Sequence, residues 1–227
     1  MVNFSAEPIF VTGLPRSGTS MVAGCLHLCG AWVGQTVPGG MGNEKGFYEN
    51  TVIREQMIKK LLLHLGCDPL GVKSLPLYER VPNVSGLDEA VLQCIHKQGY
   101  SGDHPWLYKD AKLTLLWPII AQAFPRARWI IVRREPTSII ASCMRTHFMA
   151  HHSQSKEFWQ DFVRQYQQRL QGLQSSACKV FEICADSLIR GNSDELLLLA
   201  ESLELSANAS AVSQFISPEL WRANTPA

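Results

Sequence analysis

The stretch from Ile9 to Met21, IFVTGLPRSGTSM, restricts the fold of this chain more than any other segment. Ile9, Phe10 and Val11 are apolar without alternation, the pattern of a short strand covered on both faces. Gly13 and Gly18 bound a turn, and Thr19 to Cys29 has the apolar content of a buried helix. Strand, glycine-bounded loop and helix in that order predict backbone N–H groups wrapped around an anionic oxygen cluster at a helix N-terminus.

The rest of the chain repeats the alternation of short strands and helices. Asn50 is placed to cap a helix with Ile53, Met57, Ile58, Leu61, Leu62 and Leu65 on one face, stopped by Gly66. Ser85-Gly86-Leu87-Asp88 reads as a capping-box start for a helix that Gly99 ends. Trp106–Lys109 is a strand ending at Asp110. A helix follows from about Leu113 to Phe124, in which Pro118 fits only in or near the first turn. Ala127–Val132 is a strand, and Pro136 at the first helical position opens a helix through about Met149. Phe158, Trp159, Phe162, Val163, Tyr166, Leu170 and Leu173 recur at helical spacing and read as core. Lys179–Cys184 is a late strand and Asp194–Leu205 a leucine-rich helix; from Ser206 no strong pattern remains. Trp32–Gly46, with five glycines and Pro38, reads as a mobile loop, and 68–84 is irregular. The expectation is one α/β domain spanning 1–227, a parallel sheet flanked by helices.

A net charge of +1 supplies no general attraction for nucleic acid or an anionic membrane, so an anion site must come from placed residues. Seven cysteines, an odd number scattered without C-x-x-C, favour a reducing compartment over a disulfide framework. Met1–Pro8 carries no basic segment followed by an apolar one, and no apolar run approaches the ~20 residues of a membrane span. A cytoplasmic protein is the expectation.

The second chemically loaded stretch is Val132–Ser142. A strand delivers Arg134 to its C-terminal end, where open α/β sheets bind ligands. Ser142 lies eight residues on, about two turns into the next helix. The forked guanidinium and the hydroxyl can converge on one phosphate. In the first loop the G-x-x-x-x-G spacing is that of a Walker A loop, but Thr19 follows Gly18 where nucleoside triphosphatases have lysine. Arg16 is the cation of this loop, which suits it to hold phosphate rather than to drive γ-phosphoryl transfer. No apolar run ends in an aspartate placed to hold a metal. His147 and His151 stand at i, i+4 beside His152, without a glutamate or third ligand at metalloprotease spacing, so no metal is assigned to them.

Pro15-Arg16-Ser17-Gly18-Thr19-Ser20 resembles the P-[KR]-S-G-T-[TS] loop of sulfotransferases that use 3′-phosphoadenosine 5′-phosphosulfate (PAPS). Arg134, Pro136 and Ser142 match the R-x-P-x(5)-S motif of the same family. Asn43–Asn50 is similar to the N-x-K-G-[FY]-[FY]-E-N segment of bacterial sulfotransferase-like proteins, and Ala185–Leu188 is similar to a Y-E-D-L segment. The resemblance implies a P-loop sulfotransferase fold, PAPS as donor, adenosine 3′,5′-bisphosphate as product, and no metal requirement. It implies that residues 15–20 hold the 5′-phosphosulfate, with Arg16 stabilising the leaving phosphate, and that Arg134 and Ser142 hold the 3′-phosphate. Lys109-Asp110-Ala111-Lys112 resembles the K-D-P segment of carbohydrate and tyrosyl-protein members, not the K-T-H segment whose histidine is the base in small-molecule enzymes. Those members use a glutamate after the first helix, which makes Glu44 the first candidate for general base and Glu49 the second. The family's C-terminal R-K-G-x-x-G-x-W loop is absent, and Arg222 is a candidate for the adenosine by position alone. The acceptor, a small molecule, carbohydrate or peptide, is expected among the Trp32–Tyr48 loop, the 67–105 region and the His147–Trp159 segment. A P-loop nucleotide or small-molecule kinase and a non-catalytic nucleotide-binding relative are the competing readings.

Overall fold

In a computed structural model, which describes residues 7–40, 43–78 and 81–220, the N-terminal apolar run is β1 (Ile9–Gly13), buried along its whole length. It leads through the glycine-bounded loop into α1 (Thr19–Leu28). A helical stretch follows in three pieces: α2 (Thr51–Ile53), a π-turn over Arg54–Ile58, and α3 (Lys59–His64). Then come α4 (Leu87–Lys97), β2 (Leu107–Lys109), α5 (Leu113–Ala123), β3 (Arg128–Arg133), α6 (Pro136–Arg145) and α7 (His147–Ala150). The chain continues with α8 (Lys156–Gln174), β4 (Lys179–Cys184), α9 (Ala185–Ile189), α10 (Asp194–Ser202) and α11 (Ala209–Phe215).

Among the described residues the strands form one four-stranded parallel sheet in the order β2-β1-β3-β4. Ile9 is level with Leu107 on one side and Arg128 on the other, and Arg128 with Lys179. The central strands feed both cores. Phe10, Trp129 and Ile131 enter the layer built by α3 to α6 and α8, while Ile9, Val11, Ile130 and Val132 enter the layer of α1 and α9 to α11. That two-sided burial is why their sequences do not alternate. The C-terminal tips of β1 and β3 lie side by side, and the site forms there.

Several local expectations change. The cap of α4 is Gly86 at φ +75°, with no side-chain hydrogen bond, rather than a Ser85 capping box. Pro118 sits in the interior of α5, beyond the first turn; having no N–H, it leaves out one helical hydrogen bond, and it is only half-buried. The helix opened by Pro136 stops at Arg145, because Thr146 is extended (ψ 118°), and restarts as the single turn α7. The segment after Ser206 contains α11, capped by Asn208 through the Ala211 N–H at 3.1 Å. In the glycine-rich segment, Trp32 bridges to Trp106 and Thr36 to Asn50. All seven cysteines are free thiols, and no described helix is long and apolar enough to cross a membrane.

Candidate active site

The loop after β1 is built by two glycines for different reasons. A side chain at Gly13 would stand 2.7 Å from the Val132 carbonyl and 2.8 Å from the Ser17 hydroxyl, so only glycine lets the loop close against β3. Gly18 caps α1 at φ +94°, a left-handed conformation that costs other residues ~1–2 kcal/mol. No side chain caps α1, and its first-turn N–H groups face the cavity that Gly18, Thr19 and Ser20 line. Arg16 itself is held at φ +71°. Such strain persists only where the surroundings enforce it.

Arg134 enforces it. Its Nη1 donates to the Arg16 carbonyl at 2.8 Å, and the Arg16 Nε donates to the Ser142 hydroxyl at 3.1 Å. Arg16, Arg134 and Ser142, from the two separate sequence motifs, thus meet in one hydrogen-bonded cluster. Burial lowers the Arg134 guanidinium to about 10, with the Arg16 and Arg145 charges adding to the fall and Asp186 opposing it; it remains a cation at neutral pH. The Ser17 hydroxyl is buried without a hydrogen-bond partner among the described residues. Behind the loop, Thr12 donates to the Asp110 carbonyl (3.1 Å) and pairs with the Thr114 hydroxyl (2.8 Å), locking β1 to the start of α5.

A second charged cluster sits at the tip of β2. Lys109, 3 % exposed, donates to Glu49 Oε1 at 2.7 Å, and Arg54 Nη1 lies 3.3 Å from Glu49 Oε2. Burial raises the Glu49 carboxyl, but the charges of Lys109 and Lys112, the Lys109 hydrogen bond and Arg54 outweigh it and bring it down to about 2. Asp110, fully buried, accepts from the Tyr108 hydroxyl (2.9 Å) and the Lys112 N–H (2.8 Å), and pairs with the Lys112 ammonium (2.8 Å). The π-turn brings Arg54 onto Glu49 while Lys59, one turn later, bonds both oxygens of Glu55 (2.8 and 2.9 Å). π-turns of this kind recur at functional sites.

One cavity of about 670 Å³ joins the two clusters. Eight lysine or arginine side chains line it against three carboxylates, in a chain whose net charge is +1. On the α1 side, Lys45 donates to the Phe215 carbonyl and the Ser217 hydroxyl and lies 4.9 Å over the Phe215 ring, so α11 closes that wall. Of the two candidate bases, Glu49 is buried at the cavity wall and Glu44 is an exposed rim residue; the geometry ranks them opposite to the sequence-based order. Pro15, Gly18, Thr19 and Ser20 line the same space, whereas the Ser17 side chain is turned toward Gly13. Arg222 lies outside the described residues. His147 and His152 line the cavity, and no cluster of three or more metal-ligating side chains occurs among the described residues.

Arg54 received no role from the sequence, and Lys45 and Phe148 fell within segments expected around the acceptor without being singled out. The Lys109-Asp110 pair was visible as a family-like segment, but Arg54 and Lys45 look like ordinary solvated charges until their partners are seen.

Residues 74–188, just over half of the chain, match the model of the sulfotransferase family. The matched span includes Lys109, Arg134 and Ser142; the loop after β1 precedes it. Among solved structures, the fold is similar to the sulfotransferase domain from the Synechococcus PCC 7002 olefin synthase. That match has a TM-score of 0.59 at 15% identity, covering 97% of this chain and 90% of that one. Sulfotransferase STF9 from Mycobacterium avium gives 0.57 at 13% identity (93% and 67% covered). A sulfotransferase from Alicyclobacillus acidocaldarius gives 0.51 at 13% identity (95% and 88% covered). At these identities the likeness is one of fold. No curated protein sequence matches the chain.

Proposed function

We propose that this chain, which belongs to the sulfotransferase family, transfers the sulfuryl group of PAPS to a hydroxyl or amine of an acceptor. The observation that carries the reading is the Arg16–Ser142–Arg134 cluster, which brings residues of the two motifs that resemble the family's phosphate loops against one cavity. The residues present suit a polyanionic nucleotide: an uncapped helix N-terminus and a cationic lining. PAPS, when bound, supplies an activated sulfur whose S–O bond to phosphate breaks as the acceptor oxygen or nitrogen bonds to sulfur.

The chain's own residues then have separable tasks. The N–H groups of Ser17 to Thr19, the Thr19 and Ser20 hydroxyls and Arg16 hold the 5′ end and neutralise the charge that the leaving phosphate takes with the electron pair. Arg134 and Ser142 hold the 3′-phosphate. The proton released by the nucleophile passes to Glu49, positioned by Arg54. Lys109 turns from Glu49 toward the sulfuryl oxygens, and the loss of that partner raises the carboxylate's basicity when a base is needed. Glu44 at the rim is the alternative acceptor of that proton. Seven thiols without a disulfide fit a reducing, cytoplasmic setting.

The reading is tested by calorimetric titration with adenosine 3′,5′-bisphosphate in a metal-free buffer, alongside ATP with Mg²⁺. The expected result is bisphosphate binding that Arg134→Ala weakens by roughly 10- to 100-fold, in line with ~1.5–3 kcal/mol for each lost charge-assisted bond. Binding of MgATP in preference to the bisphosphate would refute it. E49Q is expected to abolish turnover and keep nucleotide binding; full turnover in E49Q with none in E44Q would return the base to Glu44.

A further inference from the structure

The π-turn between α2 and α3 begins at Arg54, and the Lys59 N–H that closes it bonds back to the Arg54 carbonyl. The same spacing makes about 1.4 turns of an α-helix, which would set Arg54 and Lys59 on different faces. The wider π-turn brings them together instead, and both line the cavity. Glu55 stands between them. Its Oε1 accepts from Arg54 Nε at 2.8 Å and lies 2.6 Å from Arg54 Nη2, and its two oxygens accept from the Lys59 ammonium at 2.8 and 2.9 Å.

Lys109, Glu49, Arg54, Glu55 and Lys59 thus form one unbroken chain of alternating charge, from the buried tip of β2 to the half-buried start of α3. Its contacts are unequal. Arg54 reaches Glu49 at 3.3 Å but Glu55 at 2.6 Å, so its charge is divided in favour of Glu55. A stronger hold of Glu55 on Arg54 leaves Glu49 more basic, and a weaker hold leaves it less basic. The other charges facing Glu49 come from the tip of β2: Lys109, and Lys112 with its partner Asp110, beside the Tyr108 hydroxyl. None of these bonds Glu55, so the two ends of the chain can be perturbed separately.

We infer that Glu55 and Lys59 are positioning residues that set the basicity of Glu49 through Arg54, and that the π-turn is the device that assembles them. This rests on the reading of Glu49 as proton acceptor given above. Once Lys109 turns to the sulfuryl oxygens, Arg54 is the remaining ion-pair partner of Glu49 among the described residues. Its undivided charge would hold the carboxylate as a poor base. Glu55 draws that charge off, and Lys59 limits how far.

The test isolates the Glu49–Arg54 contact by removing Lys109. In the full chain carrying K109M and isotope-labelled glutamate, the Glu49 carboxyl is titrated by NMR, its signal identified by its loss in E49Q/K109M. Opposite shifts are expected. E55Q should lower the Glu49 value by about half a pH unit, because Arg54 then serves Glu49 alone, and K59M should raise it by about as much, because Glu55 then takes more of Arg54. E55D, which keeps the charge, should return the value toward that of K109M. A merely structural role would loosen the helix in both variants and move Glu49 one way in both; that result, or no shift in either, overturns the inference. K109Q, which keeps a hydrogen-bond donor beside Glu49, is the second background should K109M not fold. Release of labelled sulfate from PAPS, with water as acceptor, separates this inference from the reading beneath it. Release that E49Q abolishes, with its acid limb moved to lower pH by E55Q and to higher pH by K59M, supports both. Release that E49Q leaves unchanged removes Glu49 as base, while the NMR shifts still decide the coupling.

Discussion

Replacing Glu49 by glutamine should destabilise the protein in a pH-dependent way whose direction follows from the buried pair. A carboxyl held at about 2 instead of its ordinary 4.5 contributes ~3 kcal/mol of native-state stability at neutral pH, at ~1.4 kcal/mol per pH unit. Because the folded value is depressed, that stability is fully present above about pH 4.5 and is lost as the pH falls toward 2. E49Q also leaves Lys109, 3 % exposed, as a buried cation without its carboxylate. Breaking a buried pair from one side costs ~3–5 kcal/mol, more than removing both partners. Urea unfolding of wild type and E49Q at pH 7, 4.5 and 3 is the assay. The expected difference is about 3–5 kcal/mol at pH 7, shrinking as the pH drops below 4.5, and E49Q/K109M should recover part of the loss. An E49Q protein as stable as wild type at pH 7, or a difference that does not change with pH, would refute the reasoning.

Ser142→Ala removes the acceptor of the Arg16 Nε hydrogen bond and should weaken adenosine 3′,5′-bisphosphate binding about tenfold by calorimetry, with little change in melting temperature. Gly18→Ala forces a side chain onto φ +94° and should cost ~1–2 kcal/mol, read as a fall of roughly 2–8 °C in Tm. At Gly24 a side chain would meet the Phe215 ring and come within 3.0 Å of Tyr48, so Gly24→Val should displace α11; limited proteolysis should then cut within residues 209–217 ahead of the rest of the chain.

The parts of this protein readable from sequence are those whose chemistry is local. A strand covered on both faces must be apolar at every position, and Ile9–Val11 and Ile130–Val132 are. A loop that turns into a helix through a left-handed residue needs glycine there, and Gly18 supplies it. The parallel α/β architecture and the glycine-bounded loop after β1 follow from such requirements. Tertiary structure decided what no local pattern carries. Glu49 meets Lys109 across 60 positions, and that contact turns an ordinary loop carboxylate into a buried, charge-matched group. Thr146 takes an extended conformation that splits one expected helix in two and aims Phe148 at the cavity. The backbone's conformational menu is set by neighbours within a few residues, whereas the charge and apolarity surrounding a side chain depend on which elements the sheet brings to its C-terminal edge.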